Sequence, residues 1–425
     1  MPQIFIETLG CKINQNESSC IIDDFRQSGY TLADTPENAD IIIINTCSVT
    51  NRADYRSRYL LNKAQKIKSK RPNTKIIVTG CYAQKNEAEL SKTGFFDFIV
   101  DNNSKNKILE YLTKNKSIFT EATQFDSFAD HSMSIMTGRN RAILKIQDGC
   151  DFDCAYCIVP SVRGKPRDRS VKSIHCEVTK LLQNGYEEII LSGINLGLFS
   201  GLPALLIRLN KYKGIKHIRL GSLEPQLFTP TLLKSILSVS KICPHFHIPL
   251  QSGSDALLTL HRRRYTTADF QNLIYSLHQI RLHPAIGLDV IVGLPGETDE
   301  LFEQTFAFLQ SLPITYLHVF TYSKRKGTLA AEMKDQVHGT VAKERSKRLL
   351  ELSEQKKRQY ITLLIEKQIP LFVSPEGYDK GLYHGTSDRY VKAYFSKQNS
   401  QIFIAKDYYK DGVEVVGIAP HSRRE

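Results

Sequence analysis

The sequence predicts an α/β protein in three parts: a doubly wound parallel sheet, an open (β/α)6 partial barrel and a small antiparallel β-barrel. Three observations predict it. Strand and helix patterns alternate through residues 1–125. Six strand candidates, mostly separated by helical segments, follow from residue 140. Residues 367–425 are β-rich, with Gly and Pro between the runs.

In the first part, Gln3–Glu7 is a short apolar run and Asn14–Ser28 is amphipathic, ending near Gly29. Asp40–Asn45 is β-branched, Arg52–Lys70 has a helical pattern, Lys75–Thr79 is strand-like and stops at Gly80, and Phe95–Val100 resembles a further strand. The polar residues 126–139 show no period and read as a linker. The barrel strands are expected at Ile143–Gln147, Glu188–Leu191, His217–Leu220, His245–Pro249, Gly287–Val292 and Leu317–Thr321, within residues 140–366. The active site of such a fold lies at the C-terminal strand ends. Val341–Ile365 reads as a long, basic amphipathic helix. The tail runs Leu371–Val373, Arg389–Phe395, Ile402–Ala405 and Val413–Ile418 read as strands of the small barrel.

The chain has 425 residues, and 57 Lys and Arg against 44 Asp and Glu leave a formal charge of +13. With 41% hydrophobic and 24% charged residues it is neither mainly disordered nor collagen-like. The charge favours an acidic partner, most simply nucleic acid. The longest aliphatic run, Ile41–Ile44, is far short of the ~20 apolar residues that span a bilayer. The first residues carry no secretory pattern, so no membrane and a cytoplasmic location are expected.

Nine cysteines, an odd number in a long chain, favour metal-binding or catalytic thiols over a disulfide framework. Cys150, Cys154 and Cys157 form C-x3-C-x2-C directly after the first barrel strand. Three thiolates can take three corners of an iron–sulfur cube and leave the fourth iron open to a chelating ligand. A structural zinc site would want a fourth closed ligand, and none follows at an obvious spacing. Cys11, Cys47 and Cys81 each follow a predicted strand, one β-α unit apart, where sites of parallel sheets form. They are expected to converge on a second three-thiolate cluster. Cys20, Cys176 and Cys243 are expected to be packing residues.

These residues sit in recognisable segments. TLGCKINQNES (8–18), NTC (45–47) and TGC (79–81) resemble the N-terminal domain of the methylthiotransferase family. QDGC (147–150) through Pro160, then Arg163 and Gly164, resembles its radical S-adenosylmethionine (SAM) core, a partial TIM barrel. HIPLQSGSD (247–255), Arg264-Tyr265 and DVIVGLPGET (289–298) match further blocks, and GTSDRY (385–390) resembles the TRAM domain. The resemblance implies two [4Fe-4S] clusters and SAM. The cluster on Cys150, Cys154 and Cys157 would cleave SAM to a 5′-deoxyadenosyl radical, and that on Cys11, Cys47 and Cys81 would hold the inserted sulfur. A second SAM would methylate that sulfur, and an external electron donor and a sulfur donor are implied as partners. TLGCKIN followed by QNES most resembles the MtaB-like branch. That branch acts at C2 of N6-threonylcarbamoyladenosine (t6A to ms2t6A) in the tRNA anticodon stem-loop. A TYGCQMN-like start (MiaB-like, isopentenyladenosine) and SLGCPKN (RimO-like, a ribosomal-protein aspartate) mark the neighbouring branches. A non-catalytic RNA-binding iron–sulfur sensor is the alternative of another class.

Phe152 and Tyr156, among the cluster ligands, are expected to pack on SAM, and Ser222, Glu224, Gln251 and Gly253, at strand ends, to line its site. Many radical SAM enzymes carry a Gly-Gly-Glu-like motif after the second strand; here it reads LSGIN (191–195), and Asn195 supplies no negative charge. The basic run 52–71, Arg163 to Arg169 and Arg262 to Arg264 are expected to meet RNA phosphates.

Overall fold

The computed structural model describes residues 1–116, 118–396 and 401–417. Its first sheet contains β1 (Gln3–Thr8), β2 (Thr31–Leu32), β3 (Ile41–Thr46), β4 (Lys75–Gly80) and β5 (Phe98–Val100). All pair in parallel, in the order β2-β1-β3-β4-β5. Every residue of β3 is buried, as both faces of a doubly wound sheet require. The two-residue β2 was not legible in the sequence, because so short a run has no period. It takes an edge and leaves β1, β3 and β4 side by side.

The second part contains β6 (Ala142–Asp148), β7 (Arg167–Asp168), β8 (Glu188–Gly193), β9 (His217–Leu220), β10 (His245–Gln251), β11 (Ala285–Val292) and β12 (Tyr316–Thr321). β6 and β8 to β12 are the six expected barrel strands. β7 folds back antiparallel on β6. The ladder thins between β9 and β10, where Ile218 and Ile242 form an isolated parallel bridge. Alternate residues serve opposite faces. In β10, Phe246, Ile248 and Leu250 join the main apolar core under the helices, whereas His245 and His247 lie on the other face.

Residues 126–139 form a packed strap. Met133 and Met136 are buried, His131 pairs with Asp24 at 2.7 Å, and Tyr186 Oη accepts from the Met136 amide at 2.8 Å. Two isolated apolar residues carry no periodic signal, so only tertiary packing reveals their burial.

The N-terminal domain closes the open side of the barrel. Asn16 of the helix Lys12–Gln27 donates to the Ile143 carbonyl of β6 at 2.7 Å. At the other end of the barrel, beyond β12, Arg325 pairs with Asp54 at 2.7 Å and Ser323 Oγ accepts from the Asn51 amide at 2.7 Å.

The helix Gly339–Glu366 packs along β12 and reaches the third part. That part contains β13 (Pro370–Asp379), β14 (Leu382–Ser387), β15 (Lys392–Phe395), β16 (Ile402–Tyr409) and β17 (Gly412–Gly417), closed as β13-β14-β15-β17-β16. Its pairings are antiparallel except a short parallel closure of β15 on β17. Ile418, the end of the expected last strand, lies outside the described residues. This small barrel docks at the N-terminal strand ends of the large one. Arg219 donates to the Ser387 and Asp388 carbonyls at 3.0 Å each and pairs with Glu188 at 2.8 Å, while Ser374 also bonds Glu188 at 2.7 Å. The C-terminal strand ends are left to the site. No helix among the described residues is long and apolar enough to cross a membrane.

Candidate functional site

Cys11, Cys47 and Cys81 lie at the C-terminal ends of three neighbouring strands, β1, β3 and β4. Cys11 caps the helix Lys12–Gln27, Cys47 follows β3 directly, and Cys81 opens the helix Cys81–Lys85. The surrounding sequence is read out as hydrogen bonds. Asn14 Nδ2 donates to the Leu9 and Thr46 carbonyls at 2.8 and 2.9 Å. Asn45 Nδ2 donates to the Asn14 carbonyl and to Ser18 Oγ, both at 3.0 Å. Thr46 Oγ1 donates to the Thr79 carbonyl at 2.6 Å. Gly10, at φ +94°, passes so near Cys47 that a Cβ there would lie 2.7 Å from its Sγ. Burial pushes the Cys47 thiol up to about 12; Cys81 and Cys11 beside it push the same way, and Arg163 pulls against them. The three thiols are thus electrostatic neighbours.

The second triad lies on the loop after β6. The Cys150 amide donates to the Gly164 carbonyl at 3.0 Å, and the Ala155 amide to the His261 carbonyl at 3.2 Å. Cys150 Sγ accepts from the Phe152 amide at 3.5 Å and from Asn195 Nδ2 at 3.6 Å. Cys154 Sγ accepts from Arg263 Nη1 at 3.1 Å. Burial, opposed by the amide of Val159, pushes the Cys157 thiol up to about 12.

One short helix, Val159–Arg163, joins the two triads. Asn102 Nδ2, 4.0 Å from Cys81 Sγ, donates to the Val162 carbonyl at 2.8 Å. Arg163 donates to Asn14 Oδ1 at 2.6 Å and grips Glu17 at 2.5 and 3.2 Å. Gly164 receives the Cys150 amide. Around Glu17 and Asp148 stand Arg163, Lys105, Lys145 and Arg167, so four cations face two carboxylates in a buried cluster. Burial alone would raise Glu17, but Arg163, Lys105 and Lys145 hold it well below 4.5. The positive excess lies behind the N-terminal thiols and favours anionic sulfur there.

The other predicted residues fall as follows. Phe152 is half-buried, with the Arg264 guanidinium 5.4 Å from its ring centre. Tyr156 is half-buried, its ring 6.1 Å from that of His261. Ser222 is exposed. Glu224 is paired with Arg263, and burial raises its carboxyl against that pairing. Gln251 adopts φ +69° at a bulge after Pro249. Gly253 is a close-packing position: a Cβ there would lie 2.9 Å from Thr305 Cα and 2.9 Å from Phe308 Cδ1. Asn195 Oδ1 is buried without a hydrogen-bond partner.

Three expectations need correction. Arg163, Arg167 and Arg169 are buried and paired with carboxylates, so they are not free to meet phosphates. Arg263 is likewise buried, joining Cys154 to Glu224; nothing in the run of three arginines marked it out. Cys176 is exposed, whereas Cys20 and Cys243 are buried as expected. The helix Asn51–Lys70 does expose Arg52, Arg56, Arg58, Lys63, Lys66 and Lys70, together with Tyr55 and Tyr59.

The barrel's inner face carries a polar chain that the sequence reading did not assign. Asp289 accepts from His247 Nε2 at 2.8 Å and pairs with His318 Nδ1 at 3.4 Å. Burial works to raise the Asp289 carboxyl, but the two imidazoles hold it well below the usual range. Burial together with Arg219, Arg141 and Arg139 lowers Lys12 to about 8.

Residues 3–101 match the family model described as "Uncharacterized protein family UPF0004", and residues 144–309 match the Radical SAM superfamily. Over 418 residues, 95% of this chain and 92% of the relative, the sequence is 34% identical to the threonylcarbamoyladenosine tRNA methylthiotransferase MtaB of Bacillus subtilis. It is 36% identical over 369 residues, 84% of the chain and 89% of the relative, to the protein of that name from Aquifex aeolicus. This chain belongs to the radical SAM methylthiotransferase family. A tRNA-2-methylthio-N(6)-dimethylallyladenosine synthase of Clostridium tetani is 34% identical over 365 residues, covering 82% of the chain and 80% of the relative. Among solved structures, the radical SAM methyltransferase TsrM of Kitasatospora setae shares the fold, at TM-score 0.59 and 12% identity over 78% of this chain and 77% of that one.

The methylthiotransferase family uses SAM and [4Fe-4S] clusters, and the residues present fit both. Each triad offers three soft thiol ligands and, among the described residues, no fourth thiol beside them, the donor set of a cube with one open iron. N–H groups already aim at Cys150 and Cys154 sulfur. The buried Asn195 Oδ1, without a hydrogen-bond partner, is free to accept one from a bound group.

Proposed function

We propose that this methylthiotransferase acts on tRNA, placing a methylthio group at C2 of N6-threonylcarbamoyladenosine beside the anticodon. The observation that carries the reading is the helix Val159–Arg163, which binds the Cys81 and Cys11 regions on one side and the Cys150 loop on the other. Two open thiolate sites held by one rigid piece suit a reaction that must activate a carbon and deliver sulfur to it in one pocket. The 34–36% identity to proteins named for this substrate supports the choice of nucleoside.

Cys150, Cys154 and Cys157 would hold one cluster and Cys11, Cys47 and Cys81 the other; when bound, these groups and SAM supply one-electron chemistry, sulfur and a methyl group. Asn195 and the Glu224–Arg263 pair orient SAM, with Phe152 and Tyr156 against its adenine and Ser222, Gln251 and Gly253 along the strand ends. Arg263 and Asn195 also set the charge around the Cys150 and Cys154 sulfurs, which tunes the cluster potential. The basic, tyrosine-bearing face of Asn51–Lys70 opens four residues beyond Cys47 and docks the RNA backbone, with Tyr55 and Tyr59 placed for stacking. The parts work as an N-terminal domain (1–125), a strap (126–139), a radical SAM domain (140–366) and a TRAM-like domain (367–425). A cytoplasmic electron donor and a sulfur donor complete the cycle.

The test compares nucleosides of tRNA from cells with and without the gene by mass spectrometry, and repeats the reaction with the anaerobically reconstituted protein. The expected result is ms2t6A that disappears with the gene. An unchanged t6A pool alongside altered isopentenyladenosine or an altered ribosomal protein would overturn it.

A further inference from the structure

Three domains meet around one tyrosine ring at the N-terminal strand ends of the large barrel. Tyr390, from the C-terminal barrel, stacks on His245 at 4.6 Å between ring centres. The Arg219 guanidinium lies 5.7 Å from its centroid, and the Lys12 ammonium, from the N-terminal domain, lies 6.0 Å from it. Lys12 is the residue directly after Cys11, and it stands where the neighbouring branches have Gln or Pro.

Lys12 is half-buried, yet among the described residues it forms no hydrogen bond and no ion pair. Its charged neighbours are mostly cations: Arg219, Arg141 and Arg139 all act on it. Arg219 is paired with Glu188 and Arg141 with Glu376, although Arg141 Nη1 is buried without a hydrogen-bond partner. The carboxylate that also acts on Lys12, Asp289, is already held by His247 and His318. A partly desolvated cation with no counter-ion is costly unless a ligand brings the anion. Resting on the function proposed above, we infer that Lys12 receives the carboxylate of the substrate's threonylcarbamoyl group, with Tyr390 beneath it. The substituent on N6 and the carbon C2 lie on the same six-membered ring. One loop therefore presents both groups the nucleoside needs: the Cys11 thiol on the sulfur side and, one residue on, an ammonium on a four-carbon stem. An apolar N6 substituent would leave that ammonium unpaired, so Lys12 is a specificity determinant.

The experiment uses full-length reconstituted protein and two anticodon stem-loops, one carrying t6A and one carrying its carboxylate methyl ester. Binding is read by fluorescence anisotropy, alongside KM, kcat and iron content. Wild-type protein should bind the acid about 10- to 100-fold more tightly than the ester, as a charge-assisted contact implies. Lys12→Gln should remove that preference, raising KM for the acid and leaving the ester and the iron content unchanged, and Lys12→Arg should keep most of it. Equal binding of acid and ester by wild-type protein would overturn the inference without any variant. An equal loss on both stem-loops in Lys12→Gln would make Lys12 a phosphate contact and overturn it too. A wild-type enzyme that binds both but turns over neither overturns the t6A function, a result distinct from either.

Discussion

The two thiol triads are assembled by opposite routes. Cys150, Cys154 and Cys157 lie within eight residues, on a loop pinned by the Gly164 and His261 carbonyls. Cys11, Cys47 and Cys81 are spread over 71 residues and meet only because β1, β3 and β4 are neighbours in the sheet. A local triad is set by one loop's conformation. A distributed triad is set by strand order, and so depends on everything that holds the sheet against the barrel. The second should therefore be the more fragile of the two.

The most severe break removes each triad in turn. Reconstituted wild-type protein should carry about eight irons, and either triple Cys→Ala variant about four. Replacing Cys150, Cys154 and Cys157 should abolish SAM cleavage. Replacing Cys11, Cys47 and Cys81 should abolish methylthiolation and leave SAM cleavage measurable. A variant of the N-terminal triad that kept all its iron would end the comparison.

Glu17→Gln is the next largest. It removes the buried partner shared by Arg163, Lys105 and Lys145 and should cost about 3–5 kcal/mol in denaturant unfolding. Its effect on iron should fall on the N-terminal cluster first. The pH dependence has a defined sign. Glu17 and Asp148 titrate below their ordinary values of 4.5 and 3.8 when folded. Their stabilisation is complete above those values and is lost as pH falls through the lowered ones. Glu17→Gln should lose stability less steeply on acidification than the wild type.

The smallest effects sharpen the contrast at two glycines. Gly149 has φ +76°, and a Cβ there would lie 2.0 Å from the Lys165 carbonyl oxygen, a backbone atom; at Gly10 the obstacle is the Cys47 side chain. Each change to Ala should cost about 1–3 kcal/mol of backbone strain. Gly149→Ala should disturb SAM cleavage, whereas Gly10→Ala should spare it and lower iron retention in the N-terminal triad, read by iron analysis after gel filtration.

Much of this was legible beforehand. The strands of both parallel regions stand where periodicity put them, because buried β-branched runs leave little choice of conformation. The six thiols were singled out from spacing and from their shared place after strands. Arg163 and Arg263 were misread as surface charge, since an arginine in sequence looks the same whether it meets phosphate or a buried carboxylate. Lys12 was visible only as a letter in a motif, and the strap 126–139 only as a polar stretch.

By itself the amino-acid sequence determined the local conformations, the thiol spacing and the family, because short-range periodicity and motif order are properties of the chain. Only the tertiary structure decided which cations are spent on carboxylates, that Lys12 is partly buried without one, and how the N-terminal domain meets the barrel. Those outcomes depend on pairings between residues more than a hundred positions apart, such as Glu17 with Arg163, and burial fixes their energies.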